Sequence, residues 1–235
     1  MKNKKLGIIF SLVFLVLFFG IGFIFQDDKG SSGSDAISEE YIEEIERVDS
    51  ELLQVQPAEL FVGDKDAKVT IIDFASMSCP HCASFYSEAY DKIKEDYIDK
   101  GLVKFVYRDF PLNKSSLIAA SIAICRASEI VEEDRAEGYH EFVKKIYNSQ
   151  NSWTFSSDPV GKLIDIAVLD GMDKESAISC AKDQKLHERI LEARMLFAKN
   201  LNIESTPTFF INGKKVQGFV DYSEIQSVIE HELNQ

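Results

Sequence analysis

The feature that most constrains this chain is a pair of cysteines, Cys79 and Cys82, placed where a strand pattern gives way to a helix pattern. The segment before the pair, residues 69–75, is apolar and β-branched, which predicts a buried strand. The segment after it, residues 83–97, carries apolar side chains at helical spacing. A helix N-terminus favours an anion, and the anion that a cysteine supplies is a thiolate. The pattern therefore predicts a redox site at the start of a helix.

Length and charge narrow the class of protein. The chain has 235 residues and a formal net charge of −13. Its length suits one domain with a substantial core or one domain with an insertion. No block of basic residues offsets the negative charge, and an acidic surface repels a polyphosphate. We therefore expect no nucleic acid among its partners.

The N-terminus carries an export signal in its residue pattern. Lys2, Lys4 and Lys5 precede an apolar run from Leu6 to Phe25, and acidic residues follow it. This charge order directs the rest of the chain out of the cytoplasm. The run is long for a signal peptide and long enough to span a bilayer. We assign residues 1–28 to a signal peptide or an N-terminal membrane anchor, and we expect the protein in the periplasm or on the extracytoplasmic face of the inner membrane.

The first half of the exported chain predicts a linker followed by a βαβ unit. Residues 29–57 read as a Gly/Ser tether and then one helix over 38–53. A short strand at 60–62 follows, then a central strand at 68–75. The cysteine helix runs to about residue 100 and is closed by a glycine. Because the next strand, 102–107, follows after a helical crossover, it should pair parallel with the central strand.

The second half predicts an all-helical block and then a ββα unit. Four helices are expected, over residues 116–128, 139–149, 160–169 and 174–200. Asn212-Gly213 between two short apolar runs predicts a hairpin, and a helix from Tyr222 to Leu233 closes the chain. The interpretation is an α/β fold whose halves, 58–114 and 201–235, are separated by a helical insertion at 115–200.

This order of elements resembles a thioredoxin fold interrupted by a helical domain, as in the DsbA family of exported thiol:disulfide oxidoreductases. The resemblance covers residues 58–235 and rests on four segments: Gly63 to Ile71, Cys79-Pro80-His81-Cys82, Tyr107 to Leu112, and Ser205-Thr206-Pro207-Thr208-Phe209. The combination is specific, whereas the cysteine spacing alone would not be.

The two cysteines have different expected roles. The sulfur of Cys79 faces the helix end and solvent, so Cys79 is predicted to be the nucleophile. Cys82, one turn further along, is the resolving thiol. Pro80 and His81 stand between them, and the His81 imidazole is expected to tune the thiolate of Cys79. The alternative for His81 is an exposed histidine without a role.

The resemblance assigns further residues to the site. It implies that the Thr206–Pro207 bond is cis and that Thr206 lies against the active-site sulfurs, whereas an ordinary trans proline would only start a strand. Asp73 stands where the family carries a buried acid. Burial would raise the pKa of Asp73 and let it accept the proton of Cys82. The alternative for Asp73 is a carboxyl bonded locally at a strand end.

Cys125 and Cys180 fall in two different predicted helices and lack the spacing of a second catalytic pair. In an oxidising compartment an even cysteine count favours disulfides, so a structural bond between them is expected, with two buried free thiols as the alternative.

We expect no cofactor and no metal. A closed zinc site needs four ligands, and no second paired motif accompanies the cysteines. His140, His187 and His231 lack ligand spacing and are expected on the surface.

The resemblance implies that the protein introduces disulfide bonds into envelope proteins by exchange through Cys79 and Cys82. Its expected partners are reduced, unfolded proteins and a DsbB-like membrane quinone reductase, and we expect a monomer. Two alternatives stay open at this point: a membrane-tethered reductase or isomerase of the same fold, and a chaperone-like module that binds peptides.

Overall fold

The structure of the protein, a computed structural model, describes residues 38–218 and 221–235. The predicted export segment at 1–28 and the tether that follows it lie outside the described residues. Among the residues that are described, no helix is both long enough and apolar enough to cross a membrane.

Five strands form one mixed sheet in the order β1-β3-β2-β4-β5. The strands are β1 (Phe61–Val62), β2 (Val69–Ala75), β3 (Val103–Asp109), β4 (Thr208–Ile211) and β5 (Lys214–Gln217). The central strand β2 pairs parallel with β3, which confirms the predicted βαβ unit, and antiparallel with β4. β4 and β5 form the predicted hairpin, and Asn212 and Gly213 at its tip both have positive φ angles, 46° and 87°. The turn needs these angles, and Asn-Gly tolerates them best.

Ten α-helices are described. They are α1 (Glu39–Glu44), α2 (Pro80–Glu88), α3 (Tyr90–Ile93), α4 (Lys114–Glu129), α5 (Arg135–Asn148), α6 (Gln150–Thr154), α7 (Pro159–Leu169), α8 (Lys174–Ala181), α9 (Gln184–Asn200) and α10 (Tyr222–Asn234). Helices α4 to α9 lie between β3 and β4 in the chain, so two parts of one sheet are separated by a helical block.

Side chains alternate between the two faces of the sheet along β2, and each face packs into a different hydrophobic core. Ile71 and Ala75 point into the core that contains helices α2, α4, α5 and α10. Ile72 and Phe74 point to the opposite face, where they pack with Phe210. Because side chains alternate along a strand, Asp73 lies on the face of Ile71 and points toward the helices.

The prediction of a single helix over residues 38–53 was wrong. Helix α1 ends at Glu44, and the chain then runs beside the β5 edge, where Arg47 makes an antiparallel bridge to Lys214. The apolar residues that looked like one helical face serve two cores: Ile42 packs into the helix-covered core, whereas Val48 and Leu52 pack on the opposite face of the sheet. No straight helix could reach both faces.

The lengths of two other predicted helices were also wrong. The cysteine helix stops at Glu88, resumes as α3 and ends in a π-helical turn at Lys94–Ile98. The helix predicted over 174–200 is two helices, because Asp183 caps a new start by accepting a hydrogen bond from the Leu186 backbone N–H. Helix α6 was not predicted at all.

Arg108 of β3 fastens the N-terminal segment to the sheet. Its guanidinium donates to both carboxylate oxygens of Glu59, at 2.6 and 2.9 Å, and to backbone carbonyls of Leu52 and Gln54. The same group lies over the rings of Phe74 and Phe197, 5.5 and 5.3 Å from their centroids. A bidentate carboxylate and two carbonyls satisfy the planar donor fork of arginine, which allows it to be buried.

His140 corrects the expectation that the histidines lie on the surface. It is only 1% exposed, and its Nε2 lies 3.2 Å from the carbonyl oxygen of Leu60. Burial lowers the pKa of His140 to about 4, so the ring is neutral at pH 7. His140 therefore belongs to the packing between α5 and the start of β1.

In the helical block Cys125 of α4 is joined to Cys180 of α8 by a disulfide, with Cα atoms 6.4 Å apart. The bond closes a chain loop with a sequence separation of 55 residues. In the chain-entropy model such a loop corresponds to about 4 kcal/mol of stabilisation. The bond joins the first helix of the block to a later one and so restrains its unfolding.

Replacing both Cys125 and Cys180 with alanine should lower the free energy of unfolding by about 2–5 kcal/mol. The measurement is urea denaturation followed by circular dichroism, with wild type and variant compared in their Cys79–Cys82-reduced forms. Mass spectrometry of peptides prepared without reductant should find Cys125 and Cys180 in one cross-linked species. Recovery of both residues as free thiols would contradict the structure.

Candidate functional site

Cys79 is the N-cap residue of α2, and Pro80 occupies the first helical turn. Strand β2 ends at Ala75, so only residues 76–78 separate the sheet from the cysteine. A proline at the first position of a helix gives up an N–H that would have no partner, which makes this a favourable start. Both cysteines carry free thiols in the structure; Cys79 is 5% exposed and Cys82 is fully buried. Pro80 and His81 are exposed between them.

The surroundings of the Cys79 sulfur favour its thiolate. A hydrogen bond with the Cys82 thiol is the largest cause that lowers the pKa of Cys79 to about 5, against the opposing effect of burial. The backbone N–H groups of Cys82 and His81 add to the lowering. These N–H groups belong to the first turn of α2, which has no helical partner for them. The helix start therefore acts on Cys79 as the sequence predicted.

The pKa of the Cys82 thiol is shifted in the opposite direction. Burial raises the pKa of Cys82 well above the ordinary thiol value, and the hydrogen bond with Cys79 and the nearby Asp73 carboxylate raise it further. One sulfur of the pair is thus stabilised as an anion and the other as a neutral thiol. The two positions therefore differ in how readily their thiols lose a proton.

Asp73 lies completely buried in the middle of β2, opposite Tyr107 of β3 and Phe209 of β4. Its Oδ2 accepts a hydrogen bond from the Tyr86 hydroxyl at 3.3 Å, and its Oδ1 has no partner among the described residues. Burial raises the pKa of Asp73 well above the ordinary carboxyl value. Because burial moves the pKa of this carboxyl toward the range of a thiol, it can exchange a proton with a neighbouring thiol.

Tyrosines from the sheet, α2 and α5 surround this carboxyl. Tyr86 stacks on Tyr147 with ring centroids 4.4 Å apart, and the hydroxyls of Tyr147 and Tyr107 are 3.2 Å apart. Tyr147 belongs to the helical block, so the block supplies part of the wall that keeps water from Asp73.

The loop opposite the cysteines contains Thr206 and Pro207, whose peptide bond is cis. Both residues are buried. The carbonyl oxygen of Thr206 lies 3.2 Å from the sulfur of Cys79 and accepts the hydrogen bond of its thiol. The structure therefore brings Thr206 to the sulfur of Cys79, and it places Asp73 close enough to both cysteines to affect their electrostatics.

Gln150 is a site residue that sequence reasoning missed. Its side-chain amide is 7% exposed and donates to the carbonyl of Met77 at 2.8 Å and to that of Cys79 at 2.9 Å. Gln150 begins α6 of the helical block, so it ties that block to the backbone of the catalytic turn. A glutamine at the end of a predicted helix carries no signal of such a contact, because the contact spans 71 residues of sequence.

A second link holds the turn from the other side. The Asn113 amide donates to the Ser78 hydroxyl at 3.0 Å, and the hydroxyls of Ser78 and Ser76 are 3.2 Å apart. Asn113 is also the N-cap of α4, where its Oδ1 accepts from the backbone N–H of Ser116. The entry to the helical block and its α6 thus both restrain residues 76–79.

No group of three or more His, Cys, Asp and Glu side chains within residues 38–218 and 221–235 is placed to hold a metal ion. What the site does contain is a thiol whose pKa is lowered, a second and fully buried thiol, and a buried acid. A sheet of this topology with such a pair at the start of α2, a cis-proline loop against it and a helical block inserted into the fold defines a DsbA-like thiol:disulfide oxidoreductase.

Comparison with known proteins places the chain in a family. It belongs to the thioredoxin family, whose model Thioredoxin_4 matches residues 55–231. Disulfide bond formation protein D of Bacillus subtilis is 30% identical over 208 residues, covering 88% of this chain and 86% of that protein. A protein-disulfide oxidoreductase of Rickettsia bellii is 27% identical over 166 residues; the chain spans 61% of its length.

Solved structures agree with this placement. The crystal structure of Wolbachia pipientis alpha-DsbA1 superposes with a TM-score of 0.71 at 30% identity, covering 78% of this chain and 95% of that one. Oxidised BdbD from Bacillus subtilis gives a TM-score of 0.64 at 30% identity, covering 75% and 94%. Both support the predicted α/β fold with its helical insertion.

The lowered pKa of Cys79 can be measured directly. Thiolate absorbance near 240 nm in the reduced protein should rise as the pH passes through about 5, because helix N–H groups and the Cys82 thiol stabilise the anion. The Cys79→Ser variant should lose this transition and keep the rest of the titration. A midpoint near the ordinary thiol value of about 8.5 would contradict the geometry.

Proposed function

We propose that the protein introduces disulfide bonds into other proteins outside the cytoplasm, using an oxidised Cys79–Cys82 pair. The observation that carries the proposal is the position of Cys79 at the N-cap of α2, where the Cys82 thiol and the backbone N–H groups of the first turn lower its pKa. An environment that stabilises the Cys79 thiolate also stabilises the reduced form of the pair. A pair whose reduced form is favoured gives its disulfide to a client.

The first step is attack of a client thiolate on the Cys79 sulfur of the Cys79–Cys82 disulfide. A bond forms between the client sulfur and Cys79, and the bond to Cys82 breaks. Cys82 leaves with the electron pair and takes a proton from Asp73, whose pKa burial raises. Thr206 and Pro207 lie beside Cys79, where the client backbone has to approach.

The second step releases the product. A second client thiolate attacks the client sulfur of the mixed disulfide, and Cys79 leaves as a thiolate. The stabilised thiolate of Cys79 is a good leaving group, because a low thiol pKa speeds departure. The client has then lost two electrons, and the enzyme holds them as the reduced Cys79–Cys82 pair.

A new cycle requires an acceptor for these electrons. We propose a DsbB-like membrane quinone reductase as the oxidant, and a monomeric enzyme held in, or secreted into, the periplasmic space through residues 1–28. The charge order around the N-terminal apolar run and the disulfide between Cys125 and Cys180 support an extracytoplasmic location. The name of the Bacillus subtilis relative, disulfide bond formation protein D, supports the direction of transfer.

The direction of electron flow is tested by the reduction potential of the Cys79–Cys82 pair. Equilibration with glutathione and trapping of free thiols by a mass-shifting alkylating agent should give a value nearer about −120 mV than about −270 mV. In the same assay conditions the oxidised protein should form disulfides in reduced ribonuclease A, and Cys79→Ala should form none. A potential near −270 mV would favour the reductase. If Cys79→Ala loses thiol oxidation but suppresses client aggregation as well as wild type does, the protein is an oxidase. If suppression of aggregation is the only activity of wild type, the chaperone-like module is favoured.

The role of Asp73 is tested by Asp73→Asn, which keeps the size of the side chain and removes its acid. When Cys79 carries glutathione, Cys82 must lose its proton before it attacks and displaces the glutathione. Without the carboxylate as acceptor we expect this release to slow by about 10²-fold in single-turnover measurements. Tyr86→Phe, which removes only the hydrogen bond to Asp73, serves as the comparison. An unchanged rate in Asp73→Asn would remove the proton-transfer role.

A further inference from the structure

One buried side chain of the helical block bonds the backbone of the catalytic turn, and the reaction steps proposed above make no use of it. Gln150 begins α6, and its amide nitrogen lies 2.8 Å from the carbonyl oxygen of Met77 and 2.9 Å from that of Cys79. An amide nitrogen carries two hydrogens, so each carbonyl receives one of them. A single side chain therefore fixes two points of the short segment that joins β2 to α2.

The Cys79 carbonyl that Gln150 bonds is also the one from which α2 starts. Cys79 is the N-cap and has an extended backbone, with φ −81° and ψ 124°. Its carbonyl oxygen accepts the first hydrogen bond of the helix, from the N–H of Ala83 at 3.1 Å. A carbonyl oxygen has two lone pairs, so it can accept from Gln150 as well. Gln150 therefore holds the residue whose backbone orientation decides how the first turn of α2 lies relative to the Cys79 sulfur.

The charge on the Cys79 sulfur depends on that orientation. The backbone N–H groups of His81 and Cys82, in the first turn, help to lower the pKa of Cys79. A hydrogen bond weakens steeply when its donor turns away from the acceptor. These N–H groups stabilise a thiolate more than a disulfide, because the disulfide carries no charge. A looser N-cap would therefore destabilise the reduced pair more than the oxidised pair.

The other tie to the helical block at this turn is of a different kind. The Asn113 amide is exposed and bonds a side-chain hydroxyl, that of Ser78. Gln150, by contrast, is 7% exposed and bonds backbone carbonyls. The helix that carries Gln150 is itself held, because Trp153 is completely buried and its indole N–H donates to the carbonyl of Ile146 at 3.1 Å. A donor on such a support keeps its direction.

We propose that Gln150 is a positioning residue for thiol–disulfide exchange: it holds the N-cap of α2 so that the first-turn N–H groups stay directed at the Cys79 sulfur. Through this side chain, 71 residues further along the chain, the helical block helps to set how readily the Cys79–Cys82 pair is reduced. The proposal concerns the stability of the reduced pair, so it holds for either direction of electron transfer.

The test compares Gln150→Met with Thr154→Val. Methionine keeps the length of the side chain, has no N–H donor and changes no charge near Cys79, whose titratable neighbours include Cys82 and Asp73. The Thr154 hydroxyl donates to the Gln150 carbonyl at 2.8 Å, within α6, so Thr154→Val removes a hydrogen bond from the same helix and leaves the turn alone.

Two properties of the cysteine pair are measured in each variant: the thiolate absorbance of the reduced protein against pH, and the equilibrium of the pair with glutathione. We expect Gln150→Met to raise the pKa of Cys79 by about half a pH unit to one pH unit. The glutathione equilibrium should shift toward the Cys79–Cys82 disulfide by the matching factor, about threefold to tenfold, because one pH unit is a tenfold change in the stability of the thiolate. Thr154→Val should change neither property.

Urea denaturation of the same variants separates positioning from general stability. Gln150→Met that unfolds more easily but keeps both the pKa of Cys79 and the glutathione equilibrium of wild type would overturn the proposal. Equal shifts in Thr154→Val would overturn it too, because any loosening of α6 would then be enough. If circular dichroism shows that Gln150→Met does not fold, Gln150→Asn takes its place with the same expected shifts, since its amide is one methylene too short to reach both carbonyls.

Discussion

The chemistry of this protein depends on the different environments of the Cys79 and Cys82 sulfurs. Cys79 receives hydrogen bonds from the Cys82 thiol and from the first turn of α2, whereas Cys82 is buried against Asp73. The first environment stabilises an anion and the second a neutral thiol. The two environments differ within four residues of sequence because strand β2 ends just before helix α2 begins. The sheet buries one side of the connecting turn, and the N-terminus of α2 faces the opposite side.

The helical block is part of the site as well as an insertion into the fold. Gln150 binds the carbonyl of Cys79, and Tyr147 stacks on the tyrosine that donates to Asp73. The block is itself held together by packing and by the bond from Cys125 to Cys180. The stability of the block is therefore coupled to the geometry of the turn that carries Cys79.

The sequence predicted the parts of the fold that local residue patterns determine. The βαβ unit, the Asn212-Gly213 hairpin and the helical block are cases in which periodicity and turn chemistry act over a few residues. The prediction failed where tertiary packing overrode periodicity. Ile42, Val48 and Leu52 repeat as on a helix, yet they serve cores on two faces of the sheet. His140 looked like a surface residue, because nothing in its neighbours along the chain indicates that Leu60 will cover it.

By itself the sequence determined the cysteine pair, its place at a helix start, and the order of strands and helices around it, since these depend on residue type and spacing. The resemblance to the DsbA family pointed to the places of Thr206, Pro207 and Asp73 in the site. Only the tertiary structure decided which distant groups meet at the turn: the Thr206 carbonyl beside the Cys79 sulfur, the Tyr86 hydroxyl on Asp73, and Gln150 on the backbone of Cys79. The physical reason is that burial and hydrogen-bond partners set the two thiol pKa values, and those partners come from elements far apart in the chain.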